Sequence, residues 1–296
     1  MAAIVCVVGL VAVGCTASPA PAASRPSRSG SVASVTVDGV HRTYRLYVPA
    51  SAVGAGPVPL LVALHGGGSD GAHFEKASGF DQVADKAGFI VAYPDGVRPA
   101  TGQRVSAWNA GDCCGYAART GVDDVGFVQA LIAAVSASHQ VDARRIYVAG
   151  ESNGGMLGYR LACQLGSIIA AVAVQSATLE YSPCQPAAPV SLLAIHGADD
   201  AEVPLAGGYG SGVSHADFTP PATAAAAVAA GDGCDGVPTA APDADLAGAQ
   251  VSTWPGCPAG IAVQLVVVPG AGHAWMSTTP ALAWAFLAAH PQPNSR

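Results

Sequence analysis

A serine near the middle of the chain stands in the pattern Gly-x-Ser-x-Gly, at residues 150–154. The apolar run 146–149 before it predicts a buried strand, and residues 156–165 behind it predict a helix. A strand, a tight turn and a helix in this order form a nucleophile elbow, which holds a serine hydroxyl above the edge of a sheet. The N–H of Asn153 would lie at the helix start, where it is unpaired and can stabilise an oxyanion. The pattern therefore predicts nucleophilic catalysis by Ser152.

A serine hydroxyl is a poor nucleophile unless a base removes its proton and an acid orients that base. His273 follows the last apolar run of the chain through a glycine-rich turn, so it is the candidate base. The candidate acids Asp199 and Asp200 follow the predicted strand 191–195, and Glu202 comes shortly after them. Serine, acid and histidine follow in the order that a hydrolase with a nucleophile elbow requires. Spacing alone does not decide between the two aspartates.

Glycines that follow another predicted strand, 60–64, offer a second donor for the oxyanion. His65 and then three glycines at residues 66–68 match the loop that supplies this donor in hydrolases of this kind. We expect the N–H of Gly67 to act together with the N–H of Asn153. His65 precedes the serine in the chain, so we expect its ring to brace the loop rather than to act as the base.

Strands alternate with helical segments in the remaining sequence, which predicts an α/β domain with a mostly parallel central sheet flanked by helices. Apolar alternation around Asp38-Gly39 predicts a hairpin over 32–48. One helix is predicted over 74–87, and a second begins at Asp123 and Asp124, which we interpret as N-terminal caps. The other predicted elements are strands at 89–93, 171–174 and 263–268, a segment at 220–248 that begins as a helix and continues as a loop, and a closing helix at 280–290.

The chain has 296 residues with a net charge of −7, and 51% of its residues are hydrophobic. The negative charge and the lack of a basic cluster argue against nucleic-acid binding. No metal-binding pattern of the C-x-x-C or H-E-x-x-H type occurs, so we predict neither a metal nor a cofactor. The composition leaves the oligomeric state open.

The N-terminus resembles a targeting segment. Residues 4–13 are apolar but too short for a stable membrane anchor, and Ala12-Val13-Gly14-Cys15 resembles a bacterial lipobox. We therefore predict a signal peptide over 1–14, of the lipoprotein type, a disordered tether over 15–31 and a catalytic domain over 32–296. An ordinary cleaved signal peptide is the alternative. Either type of signal peptide would export the protein, to the extracellular space or to the outer face of the cytoplasmic membrane through a lipid on Cys15.

Export favours disulfide bonds, and six cysteines fall in the predicted domain. Spacing cannot establish their connectivity. Proximity along the chain suggests two pairs and leaves two adjacent cysteines, which could form a vicinal disulfide: Cys163 with Cys184, Cys234 with Cys257, and the remaining Cys113 and Cys114.

Six motifs in order resemble the polyhydroxybutyrate depolymerase-like esterases, which include feruloyl and acetyl-xylan esterases of carbohydrate esterase family one and actinobacterial lipoprotein esterases. The motifs are Leu64-His65-Gly66-Gly67-Gly68, Tyr93-Pro94-Asp95-Gly96, Trp108-Asn109-Ala110-Gly111, Gly121-Val122-Asp123-Asp124-Val125, Gly150-Glu151-Ser152-Asn153-Gly154-Gly155 and Gly272-His273-Ala274-Trp275. The resemblance implies the α/β-hydrolase fold. In the family the acid precedes x-x-Val-Pro, which favours Asp200 because Val203-Pro204 follows it. Glu151 departs from the family, in which Leu or Met is frequent at this position.

The expected function is hydrolysis of carboxylic esters through an acyl-enzyme, with short-chain, hydroxyalkanoate, hydroxycinnamoyl or acetyl-sugar esters as substrates. Trp108, Tyr116 and Trp275 are expected to border the site, where aromatic faces suit apolar acyl groups and sugars. The chain shows no spare segment for a polymer-adsorbing module, so soluble esters are expected to be better substrates than crystalline polyester. The alternatives are an acyltransferase to a sugar or lipid acceptor and a non-catalytic surface-binding lipoprotein.

Overall fold

A computed structural model describes residues 30–99, 105–212, 216–244, 246 and 248–293. The predicted signal peptide, Cys15 and most of the predicted tether lie outside the described residues, so these remain predictions. In the described part of the chain, no helix is both long enough and apolar enough to cross a bilayer.

The strands, in chain order, are β1 (Ser31–Val37), β2 (Val40–Tyr47), β3 (Val58–Leu64), β4 (Ile90–Pro94), β5 (Val141–Glu151), β6 (Ala171–Gln175), β7 (Ser191–Gly197), β8 (Gly208–Tyr209), β9 (Asp217–Phe218), β10 (Thr239–Pro242), β11 (Gln250–Thr253) and β12 (Val263–Val268). The helices are α1 (Gly71–Ser78), α2 (Phe80–Ala87), α3 (Gly115–Arg119), α4 (Asp124–Ser138), α5 (Ser152–Gln164), α6 (Pro221–Gly231) and α7 (Thr279–Ala289).

One large sheet has the strand order β1-β2-β4-β3-β5-β6-β7-β12-β11-β10. The run from β4 to β12 is parallel, and its strands are largely apolar because both of their faces are covered. Buried side chains of α4, α5 and α6 pack against one face, and those of α1, α2 and α7 pack against the other. This is the predicted α/β-hydrolase architecture, so the fold prediction is confirmed.

Antiparallel strands extend the parallel run on both sides. On one side, β1 and β2 form the predicted hairpin, in which Val37 pairs with Val40 across the Asp38-Gly39 turn. On the other side, β10 and β11 pair with each other and β11 pairs with β12. The loop predicted for the later part of 220–248 was therefore wrong where β10 lies, at Thr239–Pro242. Its alanines, prolines and glycines do not show the apolar alternation that identifies a strand.

The helices differ from the predictions in two places. The single helix predicted over 74–87 is broken into α1 and α2 at Gly79, whose φ of 77° is left-handed. Asp123 caps α4 as predicted, because its carboxylate accepts the N–H of Gly126 at 2.8 Å. Asp124 is not a solvated cap: it is fully buried and pairs with Arg42 at 2.7 Å.

Candidate active site

The candidate site lies at the edge of the sheet where the parallel strands end. Strands β3, β5, β7 and β12 run in the same direction, so the loops after them meet at one edge. These loops carry the predicted glycines, Ser152, Asp200 and His273 respectively. Motifs that are far apart in the sequence thus lie close together because the strands before them are parallel.

Ser152 is the first residue of α5 and directly follows β5. Its φ is 51°, a left-handed conformation that is strained for a residue with a side chain. Two glycines make the turn possible. A Cβ at Gly150 would lie 2.6 Å from the carbonyl carbon of Gly154, and a Cβ at Gly154 would lie 2.4 Å from the carbonyl oxygen of His65. Only glycine fits such close backbone approaches.

The three predicted triad residues are brought together. His273 Nε2 lies 2.9 Å from Ser152 Oγ, and His273 Nδ1 lies 2.9 and 3.1 Å from the two carboxylate oxygens of Asp200. The imidazole therefore joins the serine to the acid through its two nitrogens. This geometry allows the histidine to take the serine proton while the carboxylate fixes the tautomer.

Asp200 is held by the loop that follows β7. Its Oδ1 accepts the N–H groups of Glu202 at 3.0 Å and Val203 at 2.9 Å. Burial raises the pKa of this carboxyl, but the hydrogen bonds from His273 and from the Val203 N–H outweigh burial and hold the pKa below its ordinary value. Asp200 is therefore ionised at neutral pH. The competing candidate Asp199 is exposed to solvent.

The electrostatics of His273 are dominated by carboxylates. Burial lowers the pKa of His273, but the hydrogen bond and charge of Asp200, with further contributions from Glu202 and Glu151, raise it above its ordinary value of 6.5. A positive charge on this imidazole is thereby stabilised. This is the charge that a general base acquires during the reaction.

Sequence reasoning missed the residue that holds the histidine loop. Gln175 ends β6 and is 2% exposed. Its side chain donates to the carbonyl of Ala274 and accepts the N–H of Met276 at 3.2 Å, one residue on either side of Trp275. A glutamine at the end of an otherwise apolar buried strand was the available signal. A buried amide of this kind requires partners, and here the partners are the backbone of the base-bearing loop.

The glycine loop after β3 lies against the elbow. A Cβ at Gly67 would be 3.8 Å from the Cβ of Asn153, so the two proposed donors are close neighbours. Among the described residues, no backbone hydrogen bond uses the N–H of Gly67. The N–H of Asn153 belongs to the first turn of α5, where helical N–H groups have no partner within the helix. Both N–H groups are therefore candidate donors to an oxyanion.

His65 braces this loop, as expected. Its ring is fully buried, and Nε2 accepts the N–H of Gly96 at 3.0 Å. The proton must therefore be on Nδ1, which lies 2.8 Å from the carbonyl oxygen of Gly66. Burial lowers the pKa of His65, so the ring is neutral.

The predicted substrate-binding aromatics lie in three different environments. Trp108 is completely buried, and its indole donates to the His65 carbonyl at 2.8 Å. The prediction for Trp108 is therefore corrected: this side chain packs beneath the glycine loop and has no surface for a substrate. Tyr116 is half-buried on α3, and within the described residues no hydrogen bond or ring contact joins its side chain to the triad, so its role in binding substrate remains a prediction.

Trp275 is half-buried, and its indole N–H donates to the carbonyl of Ser78 at 3.0 Å. The ring packs against Phe74 and Phe80, with centroids 5.2 and 5.7 Å away. These contacts anchor the loop of His273 to helices α1 and α2. A role of Trp275 in binding substrate remains a prediction.

The two suggested disulfide pairs, Cys163–Cys184 and Cys234–Cys257, are present, and Cys113 and Cys114, whose pairing the sequence left open, form a vicinal disulfide. Cys163 lies on α5 behind the nucleophile, and Cys184 lies in the segment between β6 and β7. Over the described part of the chain, no group of three or more His, Cys, Asp or Glu side chains is placed to hold a metal ion.

Comparisons with known proteins find similarity to esterases. Residues 42–188 match the family described as esterase PHB depolymerase. The chain is 32% identical to feruloyl esterase B of Piromyces equi over 237 residues, and this alignment covers 76% of this chain and 41% of that protein. It is 26% identical over 250 residues to a bifunctional acetylxylan esterase/xylanase of Neocallimastix patriciarum, covering 84% of this chain and 33% of that protein. The chain thus spans well under half the length of these curated relatives.

Solved structures share the fold at low sequence identity. An acetyl xylan esterase from Aspergillus awamori superposes with a TM-score of 0.65 at 17% identity, covering 87% of this chain and all of that one. A carboxylesterase of Bacillus cereus superposes with a TM-score of 0.56 at 11% identity, covering 83% of this chain and 93% of that one.

Proposed function

Because the chain belongs to the esterase PHB depolymerase family through residues 42–188, we propose that it is an exported serine esterase that hydrolyses carboxylic esters through an acyl-enzyme. The observation that carries the proposal is the hydrogen-bonded chain from Ser152 through His273 to Asp200, with distances of 2.9 Å at both links. Export is supported by the three disulfides, which persist in oxidising compartments.

In the proposed acylation step, Ser152 Oγ attacks the ester carbonyl carbon while its proton passes to His273 Nε2. The carbonyl oxygen becomes an oxyanion between the N–H groups of Gly67 and Asn153, and each such donor typically stabilises the transition state by ~3 kcal/mol. The tetrahedral intermediate then collapses. The bond to the alcohol oxygen breaks, and His273 gives its proton to that oxygen as the alcohol leaves.

Deacylation repeats these steps with water as the nucleophile. His273 takes a proton from the water as it attacks the acyl carbon, and the second tetrahedral intermediate forms in the same pair of N–H groups. Collapse breaks the bond to Ser152 Oγ, which takes the proton back from His273. The free acid leaves, and the enzyme returns to its starting state.

The proposed substrates are short-chain, hydroxycinnamoyl or acetyl-sugar esters. A cavity of about 530 Å³ lies beside the glycine loop, and Gly67, Asp70, His73 and Arg98 are among its lining residues. Asp70 pairs with both His73, at 2.7 Å, and Arg98, at 2.8 Å. A polar lining suits a hydroxylated part of the substrate better than a crystalline aliphatic polyester.

Hydrolysis of p-nitrophenyl acetate and butyrate by the purified protein tests the proposal, with Ser152→Ala as the matched variant. We expect turnover by the native chain and a loss of at least about 10³-fold in kcat for the variant, in line with removal of a triad member. Equal rates from the two proteins would refute it. Methyl ferulate, an acetylated xylo-oligosaccharide and a polyhydroxybutyrate film then rank the substrate classes. An added sugar or alcohol acceptor reveals whether the acyl group is transferred instead of hydrolysed.

A further inference from the structure

An acidic side chain outside the triad reaches the catalytic histidine. Glu202 Oε2 lies 3.8 Å from His273 Nε2, the same nitrogen that lies 2.9 Å from Ser152 Oγ. The orienting carboxylate Asp200 lies on the opposite ring nitrogen, Nδ1. The side chain of Glu202 is 52% exposed, whereas that of Asp200 is fully buried. The Glu202 carboxylate therefore lies at the mouth of the site, outside the chain of hydrogen bonds that joins the triad side chains.

The backbone around Glu202 is tightly fixed. Its N–H donates to Asp200 Oδ1 at 3.0 Å, and the segment that includes β8 packs over it. A Cβ at Gly210 would lie 1.8 Å from the Glu202 carbonyl oxygen, and a Cβ at Gly212 would lie 3.0 Å from Glu202 Oε2. Ser211 lies between these glycines, and its N–H donates to the Ala201 carbonyl at 2.8 Å. The backbone that carries the Glu202 side chain is thus fixed beside the histidine.

The position of Glu202 relative to the reaction follows from the role of Nε2. In a serine hydrolase this nitrogen delivers its proton to the oxygen of the departing alcohol. A group 3.8 Å from Nε2 at the mouth of the site therefore lies on the side of the alcohol. The oxyanion donors of Gly67 and Asn153 belong to the carbonyl oxygen instead.

The charges that act on this part of the site are all negative. The carboxylates that influence His273 are Asp200, Glu202 and Glu151. Asp200 is committed to His273, and Glu151 is more than half-buried, with a hydrogen bond from the N–H of Trp275. Among ion pairs of the described residues, Glu202 has His273 as its sole partner. Glu202 is thus the carboxylate available to a charged group of the substrate.

We propose that Glu202 determines specificity for the alcohol part of the ester and favours alcohols that carry a positive charge on a short chain, such as two-carbon amino alcohols. Alcohols that carry a negative charge at the equivalent position of the chain are disfavoured. This inference rests on the proposed esterase function, and it assigns to Glu202 a role in substrate selection that is separate from the triad.

The test compares two esters of equal shape: acetylcholine and 3,3-dimethylbutyl acetate, in which an uncharged carbon replaces the quaternary nitrogen. The measured quantity is the ratio of their kcat/KM values at low ionic strength. Glu202→Gln should lower this ratio about fivefold, the size expected for one charge pair about 4 Å apart in contact with solvent. Added salt should lower the native ratio towards that of the variant. Glu202→Asp, which keeps the charge, should retain most of the preference.

Asp199→Asn is the matched control. It removes one negative charge from the same loop, but Asp199 is exposed and is not among the groups that influence His273. The ratio should therefore not change in this variant. Because both esters are measured on one preparation, the ratio does not depend on the fraction of enzyme that is folded.

Three outcomes would overturn the inference. They are an unchanged ratio in Glu202→Gln, an equal fall in Asp199→Asn, and the loss of all turnover in a folded Glu202→Gln protein, which would place the carboxylate in the reaction itself. Failure of the proposed function appears differently, because the native protein would then hydrolyse neither ester.

Discussion

The side-chain amide of Asn153 and the backbone of Trp108 are joined by two reciprocal hydrogen bonds. Asn153 Oδ1 accepts the Trp108 N–H at 2.7 Å, and Asn153 Nδ2 donates to the Trp108 carbonyl at 3.1 Å. The residue that follows the nucleophile thus connects the elbow to the long segment between β4 and α3. The buried indole of Trp108 in turn holds the glycine loop through the carbonyl of His65. The side chains of Asn153 and Trp108 together therefore link the elbow to the glycine loop, the two parts of the proposed oxyanion hole.

Replacing Asn153 by Ala should harm both stability and turnover. The substitution leaves the buried N–H of Trp108 without its partner, and such a loss costs about 1–3 kcal/mol. We expect the free energy of unfolding to fall by about 2 kcal/mol, as measured by urea denaturation. We expect kcat for p-nitrophenyl butyrate to fall about tenfold to a hundredfold, because the donor N–H groups lose their fixed positions.

The control for this variant is Gln164→Ala, which removes an amide from the other end of the same helix. Gln164 is exposed, and its amide contacts Arg160 and the Tyr181 hydroxyl. Its loss should change stability by less than about 0.5 kcal/mol and leave turnover unchanged. Equal effects of the two substitutions would contradict the special role of Asn153.

The activity should fall with decreasing pH, with a midpoint above the ordinary histidine pKa. His273 must be neutral to accept the serine proton, and its pKa lies above 6.5 because Asp200, Glu202 and Glu151 outweigh the opposing effect of burial. As the pH falls through that raised pKa, the base becomes protonated and kcat/KM declines. A pH profile of kcat/KM measures the midpoint. A midpoint below 6.5 would contradict the electrostatics described for the site.

The substitutions Asp200→Asn and Asp199→Asn distinguish which of the two aspartates is the acid of the triad. The substituted side chain would present an amide to His273 Nδ1 and favour the wrong tautomer, so kcat should fall about 10⁴-fold. Asp199→Asn makes the same change of charge one residue earlier, on an exposed side chain, and should leave kcat near the native value. A larger loss in Asp199→Asn than in Asp200→Asn would identify Asp199 as the acid and refute the assignment.

The disulfide between Cys163 and Cys184 should support the site without taking part in the chemistry. It joins residues 21 apart in sequence, and closing a loop of this size stabilises a domain by ~3 kcal/mol in the chain-entropy account. The double variant Cys163→Ala/Cys184→Ala should therefore have a clearly lower Tm and a nearly native kcat at 25 °C. Loss of turnover in a variant that remains folded would show that the bond also shapes the site.

The sequence predicted the parts of the site that depend on position along the chain. Ser152, Asp200 and His273 each follow an apolar run, and parallel strands bring the ends of such runs to one edge. The fold could therefore be predicted from the alternation of elements. Proximity along the chain suggested two of the cysteine pairs but could not establish their connectivity.

The parts that were missed depend on contacts between distant segments. The link from Asn153 to Trp108 spans 45 residues, and that from Gln175 to Ala274 spans 99. A sequence shows that these residues are polar or aromatic but not what they face. The contact of Asp124 could not be predicted for the same reason. Its position at a helix start suggested a cap, whereas its burial beside Arg42 depends on the packing of a distant strand.

Mass spectrometry of the trapped intermediate shows whether Ser152 carries the acyl group during turnover. The protein is mixed with p-nitrophenyl butyrate, quenched in acid within the first turnover and digested. A butyryl group should appear on the peptide that contains Ser152, at a level that matches a burst of p-nitrophenol, and neither should appear in Ser152→Ala. Ester hydrolysis at the same rate in Ser152→Ala, with no acyl group on the Ser152 peptide of the native protein, would contradict the account.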